Sequence, residues 1–294
     1  MVEKRSPLGS QEQVINQPIL IDQSASTSLQ PRAIGTAALS VRADEAGVTR
    51  IKKLRQSGSM KLVFPTTHAK HAEAIMVNTA GGITGGDRFD VTAHVGANAS
   101  LTLTTQAAER VYRAQPGEVG RVTTALTVDR DARLNWLPQE LILFDNCALR
   151  RRLRVELGAT ALLLMVEPMV FGRTAMKEEL RKVFLRDRIS ISREGLPVYL
   201  DGMDLSGDAA AHLARPCIAN AAGAMASLVY IAPEAEGVLG RIRKMLPASA
   251  GASMIAKDVL VLRLLAPCSF EMRRSLVPIL ELLTQNTLPK SWRL

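Results

Sequence analysis

The stretch NTAGGITGGDRFDVTAHV, Asn78 to Val95, packs four glycines into six residues and then alternates. Val91, Ala93 and Val95 fall on one side and Thr92 and His94 on the other, the period of two that belongs to an extended strand. The glycine loop therefore opens a strand and not a helix. Gly81 and Gly86 have the separation of a phosphate-binding GxxxxGK[ST] loop, but Asp87 and Arg88 stand where that loop needs Lys and Ser or Thr. An aspartate there has the wrong charge for a triphosphate, and no Gly-x-Gly of a dinucleotide fingerprint is present. What remains is a glycine-built corner between strands Ala74–Asn78 and Arg88–Val95. Glycine permits positive φ at such turns without steric cost. The Asp87 carboxylate can accept hydrogen bonds from the loop's own amides, or the corner can present Asp87 and Thr84 to a partner or a passing ion.

The same texture extends outward. Leu101 and Leu103 alternate with Thr102 and Thr104. Val122, Thr124, Leu126 and Val128 alternate with Thr123, Ala125 and Thr127. Turn residues punctuate these runs at GAN 96–98, QPGEVG 115–120, DRDAR 129–133, ELGAT 156–160 and REGLP 193–197. Short strands at this spacing predict a mainly β fold: a sandwich, a barrel or a coiled stack of strands. The last third adds helices. A short one is expected within 204–224, and one at Glu234–Leu246 carries a stripe of Val238, Ile242, Met245 and Leu246. Another is capped at Ser269 and runs to about Thr284, with Pro278 kinking it. Its apolar surface leaves room for a partner. Residues 1–32 are rich in Gln, Ser and Pro and read as a flexible tail, and 33–294 as a single domain.

The 294-residue chain has a hydrophobic fraction of 47% and a charged fraction of 22%. No apolar run approaches the roughly 18 residues of a membrane span. The N-terminus lacks the apolar core of a signal peptide, which points to the cytoplasm. The net charge of +9 invites nucleic acid, an acidic membrane surface or an acidic protein partner, but aromatics are only 4% and offer bases little to stack on. The dense basic run RRRLR, Arg150 to Arg154, places Arg152 and Arg154 opposite Leu153, Val155 and Leu157, as on a half-solvated strand. Three well-separated cysteines, Cys147, Cys217 and Cys268, support neither a disulfide framework nor a zinc ribbon.

Catalytic signatures are absent: no GxSxG elbow, no HExxH, and no Cys-His-Asn order around Cys147. His68 and His71 have the HxxH spacing that brings two rings onto one helical turn, a secondary metal candidate in a loop-like setting without a third ligand. Carboxylates are more suggestive. Glu109, Glu140, Asp145, Glu167 and Glu178 sit at strand ends in apolar surroundings. Burying such a group is costly unless it is paired. Arg110, Arg113 or Arg173 are candidate partners. The alternative is a polar path through a β core, suited to a metal that must move on. A β-rich hydrolase using Cys147 or the carboxylates, and a basic nucleic-acid binder, are the rival readings.

The segments NTAGGITGGDRF, TLTTQAAERVYR, LNWLPQELILFDN and EPMVFGRTAMKEE, in this order, with the closing SWRL, resemble the urease accessory protein family UreD, called UreH in some bacteria. The resemblance runs from about residue 34 to the end. It implies a coiled, helix-like stack of strands with a pair of α-helices toward the C-terminus, and no enzymatic activity. It also implies assembly with UreF, and through UreF with the GTPase UreG, into a complex that docks on apo-urease. That complex installs the dinuclear nickel centre, and the UreD-like subunit offers nickel an internal route, with no tightly bound cofactor. Membranes and nucleic acids have no part in this. Motif by motif, the resemblance carries over Asn78, Gly81, Gly82, Gly85, Gly86 and Asp87, then Thr105, Gln106, Pro138, Glu140 and Glu167, and finally Gly172, Arg173 and Glu178. Of these, Asp87, Glu140, Glu167 and Glu178 are the candidate nickel-route carboxylates. The family often has Gly-Glu where this chain has Lys177–Glu178.

Overall fold

The computed structural model describes residues 30–66, 69–173 and 176–293. His68 and nearly all of the 1–32 segment lie outside them. The fold is mainly β, as the alternation predicts, and the alternation is resolved into a coil. Strands β1 (Ile34–Ala43), β2 (Thr49–Gly58), β3 (Met60–Val63) and β4 (Ala72–Asn78) lead in. Then β5 (Arg88–Val95), β6 (Ser100–Thr105) and β7 (Glu109–Val111) make one turn of the coil. Next, β8 (Gly120–Val128), β9 (Arg133–Leu137) and β10 (Leu141–Leu143) make the following turn. Strands β11 (Ala148–Leu157) and β12 (Leu162–Phe171) make a third. Strands β13 (Val183–Arg193) and β14 (Leu196–Gly207) extend the first face.

Equivalent strands of successive turns stack in parallel, as β5–β8–β11–β13 on one face and β4–β6–β9–β12 on another. A narrow third face joins β7, β10 and the end of β12. The coil stays closed because inward residues of the first two faces, such as Phe89, Val91, Leu101, Leu103, Leu126 and Leu134, share one buried cluster. Parallel strands need a connection longer than a hairpin, and here the neighbouring face supplies it. The glycine loop fits this scheme as a shortened third-face segment, reduced to Ile83, which forms a single parallel bridge with Val111.

The C-terminal third is antiparallel. Strands β15 (Ala224–Ile231), β16 (Ala250–Ala256) and β17 (Val259–Ala266) extend the second face in the order β12–β15–β17–β16. Helices α1 (Ala209–Leu213), α2 (Ala235–Met245) and α3 (Ser269–Leu283) complete it. Two expectations are corrected here. Cys268, not Ser269, holds the N-cap position of α3, without a side-chain cap. The Ser269 hydroxyl instead donates to Glu140 Oε1 at 3.1 Å. The apolar side of α3, Met272, Leu276, Ile279, Leu280 and Leu283, is also not left for a partner, because it packs into a second core cluster with β15 and β17. No helix among the described residues is long and apolar enough to cross a membrane.

Candidate functional site

Six of the motif residues, Asn78, Gly81, Thr105, Gln106, Pro138 and Glu167, collect at the corner between the second and third faces. Thr104 pairs with Leu137 and Glu109 with Leu141, so residues 105–108 of one turn overlie 138–140 of the next. Trp136 pairs with Met165 and Leu141 with Met169, which places 166–168 in the same column. Three segments far apart in sequence are thus stacked by strand register alone.

This column walls a cavity of about 320 Å³, lined among others by Asn78, Gly81, Thr105, Gln106, Pro138 and Glu167. Its other walls include Glu109, Trp136 and Arg151. Glu167 is only 5% exposed. Trp136 Nε1 donates to its Oε1 at 2.6 Å, and Arg151 Nη1 to its Oε2 at 2.5 Å. Arg151 also donates through Nε to Asp187 Oδ1 at 3.0 Å and through Nη2 to Asp187 Oδ2. Burial pushes the Glu167 carboxyl up, and the Arg151 guanidinium opposes that push. Burial lowers Arg151 in turn, but Asp187 and Glu167 outweigh it and hold the guanidinium above its ordinary value. Glu109 is different: it forms no ion pair among the described residues, and the nearby Arg110 charge offsets its burial only in part. Burial raises its pKa to about 7, and the Asn78 amide, 3.2 and 3.3 Å from its two oxygens, only partly offsets this.

The other candidate carboxylates lie off the cavity lining. Asp87 is 4% exposed and accepts from Thr84 N and Ala33 N, each at 2.8 Å. It therefore ties the glycine loop to the start of β1. Gly82 is needed in that loop because a Cβ there would lie 2.2 Å from the Tyr112 ring. Gly86 takes φ +86°, which side chains other than glycine rarely adopt. Glu140, 3% exposed, accepts from Arg273 Nη1 at 3.0 Å on both oxygens. Arg273 in turn packs over the Trp292 ring, and Trp292 Nε1 donates to Leu137 O at 2.9 Å.

Glu178 accepts from Arg173 Nε, Nη2 and backbone N at 3.0, 2.9 and 3.1 Å. Those hydrogen bonds, the side-chain ones first, hold its pKa below the usual value. Gly172 turns this loop at φ +80°, with Glu178 O where a Cβ would point. His71 lies just before β4 and is half-buried, and burial lowers its pKa. Among the described residues, no three His, Cys, Asp or Glu side chains are grouped as a metal cage. Cys147 is 2% exposed, and burial pushes its thiol to about 12, unsuitable for a thiolate nucleophile at neutral pH.

The model of the family described as UreD urease accessory protein matches residues 34–293, a span that includes every described wall residue of the cavity. The chain belongs to the UreD urease accessory protein family. A protein named urease accessory protein UreD from Roseobacter denitrificans is 52% identical over 265 residues, covering 90% of this chain and 96% of that relative. The UreD of Ruegeria pomeroyi is 55% identical over 242 residues, 82% of this chain and 94% of its own length. That of Rhizobium etli is 41% identical over 249 residues, 84% and 91% of the two chains. Where the UreD pattern often has Gly-Glu, Lys177 takes φ +53°, the left-handed region that glycine occupies most easily.

Sequence reading missed Arg151, Asp187 and Arg273 as partners. Glu178 does pair with Arg173, but Glu167 and Glu140 pair with Arg151 and Arg273. For two of these the signal was parity. Arg151 falls on the same strand face as Leu149 and Leu153, and Asp187 on that of Leu185 and Ile189.

Proposed function

We propose that this chain acts as a non-catalytic scaffold and metallochaperone subunit in urease maturation. With UreF, and through it the GTPase UreG, it docks on apo-urease and helps install the nickel centre, and nickel is cargo. The observation that carries this reading is convergence. Motif residues Asn78, Gly81, Thr105, Gln106, Pro138 and Glu167 come from separate segments and line one cavity together with Glu109. Carboxylates with few fixed ligands hold a divalent ion loosely, as a route requires, whereas a closed His/Cys cage would retain it. Asp87 contributes through the loop it ties down, and Glu140 and Glu178 through the segments they anchor.

The test is co-purification with UreF, followed by the nickel content of urease matured in the presence of Glu167→Gln. Association with UreF at micromolar concentration and a lowered nickel content, with the complex still assembled, are expected. No association with UreF removes the assignment. Normal nickel content in the Glu167→Gln complex leaves scaffolding alone.

A further inference from the structure

The larger cavity is not the only one that touches Glu167. A second, of about 20 Å³, lies on the far side and is lined by Asp187, Asp201, Met203, Met225 and Arg263. Among the described residues the two share two walls, Arg151 and Glu167. The larger cavity reaches exposed positions at Gln106 and Arg110, and the smaller reaches them at Gly202 and Arg263. Their linings extend from the column of corner segments to the β13–β14 pair, and Arg151 and Glu167 stand where they meet.

At that meeting place, Arg151 pairs with Asp187 across adjacent parallel strands and reaches Glu167 on the opposite wall. We infer that Arg151 is the gate between the two cavities: a cation crosses only when the guanidinium leaves Glu167 and Asp187. The inference rests on the reading that the cavity carries nickel.

Two physical arguments support it. The guanidinium occupies the space between the carboxylates, and its positive charge repels an approaching cation at short range in a poorly screened interior. The charge balance also favours exchange. One monocation against two carboxylates leaves an excess negative charge, which a divalent ion in the same place would neutralise. The displaced side chain has somewhere to go, since it already lines the larger cavity. The hydrogen bonds that orient Glu167 do not all depend on Arg151, because Trp136 Nε1 still holds Oε1. Passage then amounts to a swap of one cation for another, with Glu167 as the group both contact.

The test uses the complete accessory complex with apo-urease and Ni²⁺, and reads the initial rate at which nickel appears in urease. Arg151→Lys keeps the positive charge, but a single ammonium cannot chelate both carboxylates in the guanidinium's geometry. Arg151→Gln removes the charge. Both are expected to raise the initial rate several-fold, and Glu109→Gln to lower it. A merely structural arginine would lower yield and melting temperature without ever raising a rate. If Arg151→Gln fails to fold, Arg151→Lys decides. An unchanged or slower rate for Arg151→Lys, in a variant that melts near wild type, overturns the gate. If Glu109→Gln still slows transfer in that case, the route stands without a gate. If Glu109→Gln is also unchanged, the route has failed as well.

Discussion

Arg273, on the first turns of α3, holds both oxygens of Glu140 at 3.0 Å across 133 residues of chain. The contact fastens the C-terminal helix to the corner column that also carries Pro138 and Gln139. Removing one partner leaves a charge buried without compensation, which is far costlier than removing both.

Arg273→Ala is therefore expected to destabilise the protein by about 3 kcal/mol, and Glu140→Leu with Arg273→Leu by less than Arg273→Ala alone. Urea unfolding of the three proteins checks this. Equal losses would mean that the pair contributes packing and no charge compensation.

Glu109 makes stability depend on pH with a definite sign. Its folded pKa is raised by burial from an ordinary 4.5 to about 7. The folded state therefore binds the proton more tightly, and stability falls as pH rises from about 4.5 to 7. Complete expression of that shift amounts to about 3 kcal/mol. Glu109→Gln is expected to flatten this part of the profile and to gain stability at pH 8. Denaturant midpoints at pH 5 and pH 8 provide the measurement, and a variant profile as steep as wild type would show that another group titrates.

The glycine corner is sterically constrained at Gly82. A methyl group there meets the Tyr112 ring at 2.2 Å. Overpacking of this kind costs about 1–3 kcal/mol, and Gly82→Ala is expected to lower the melting temperature accordingly. Tyr112→Ala in the same chain should recover part of the loss. Failure of that recovery would place the strain in the backbone and not in the ring contact.

Asp87 is expected to act on the same corner by a different route. Asp87→Ala strips acceptors from the amides of Ala33 and Thr84, and an unsatisfied buried donor costs about 1–3 kcal/mol. Backbone hydrogen exchange should accelerate at Thr84 and at the start of β1 while remaining unchanged in α2. Uniform acceleration would indicate global and not local loosening.

Much of the coil was readable from period two and its punctuation. Phe89, Val91, Leu126 and Leu153 face inward because alternation admits no other arrangement for a strand with one buried side. Glu109, Glu140 and Glu167 stood out because a carboxylate in an apolar run must find a partner or a purpose. The identity of those partners was not readable, since Arg151 sits inside a run of arginines whose neighbours are exposed.

The chain alone determined local matters: where strands begin and turn, which residues face in, and that the glycine loop cannot hold a phosphate. These follow from short-range sterics and from the cost of burying charge. Only the tertiary structure decided that Glu167 meets Arg151 and Asp187, that Glu140 meets Arg273, and that Glu109 meets Asn78. Each of these contacts depends on which residues of successive turns lie side by side, and inter-strand register is set by the packing of the whole coil. One residue of slippage would turn every one of those side chains to the opposite face.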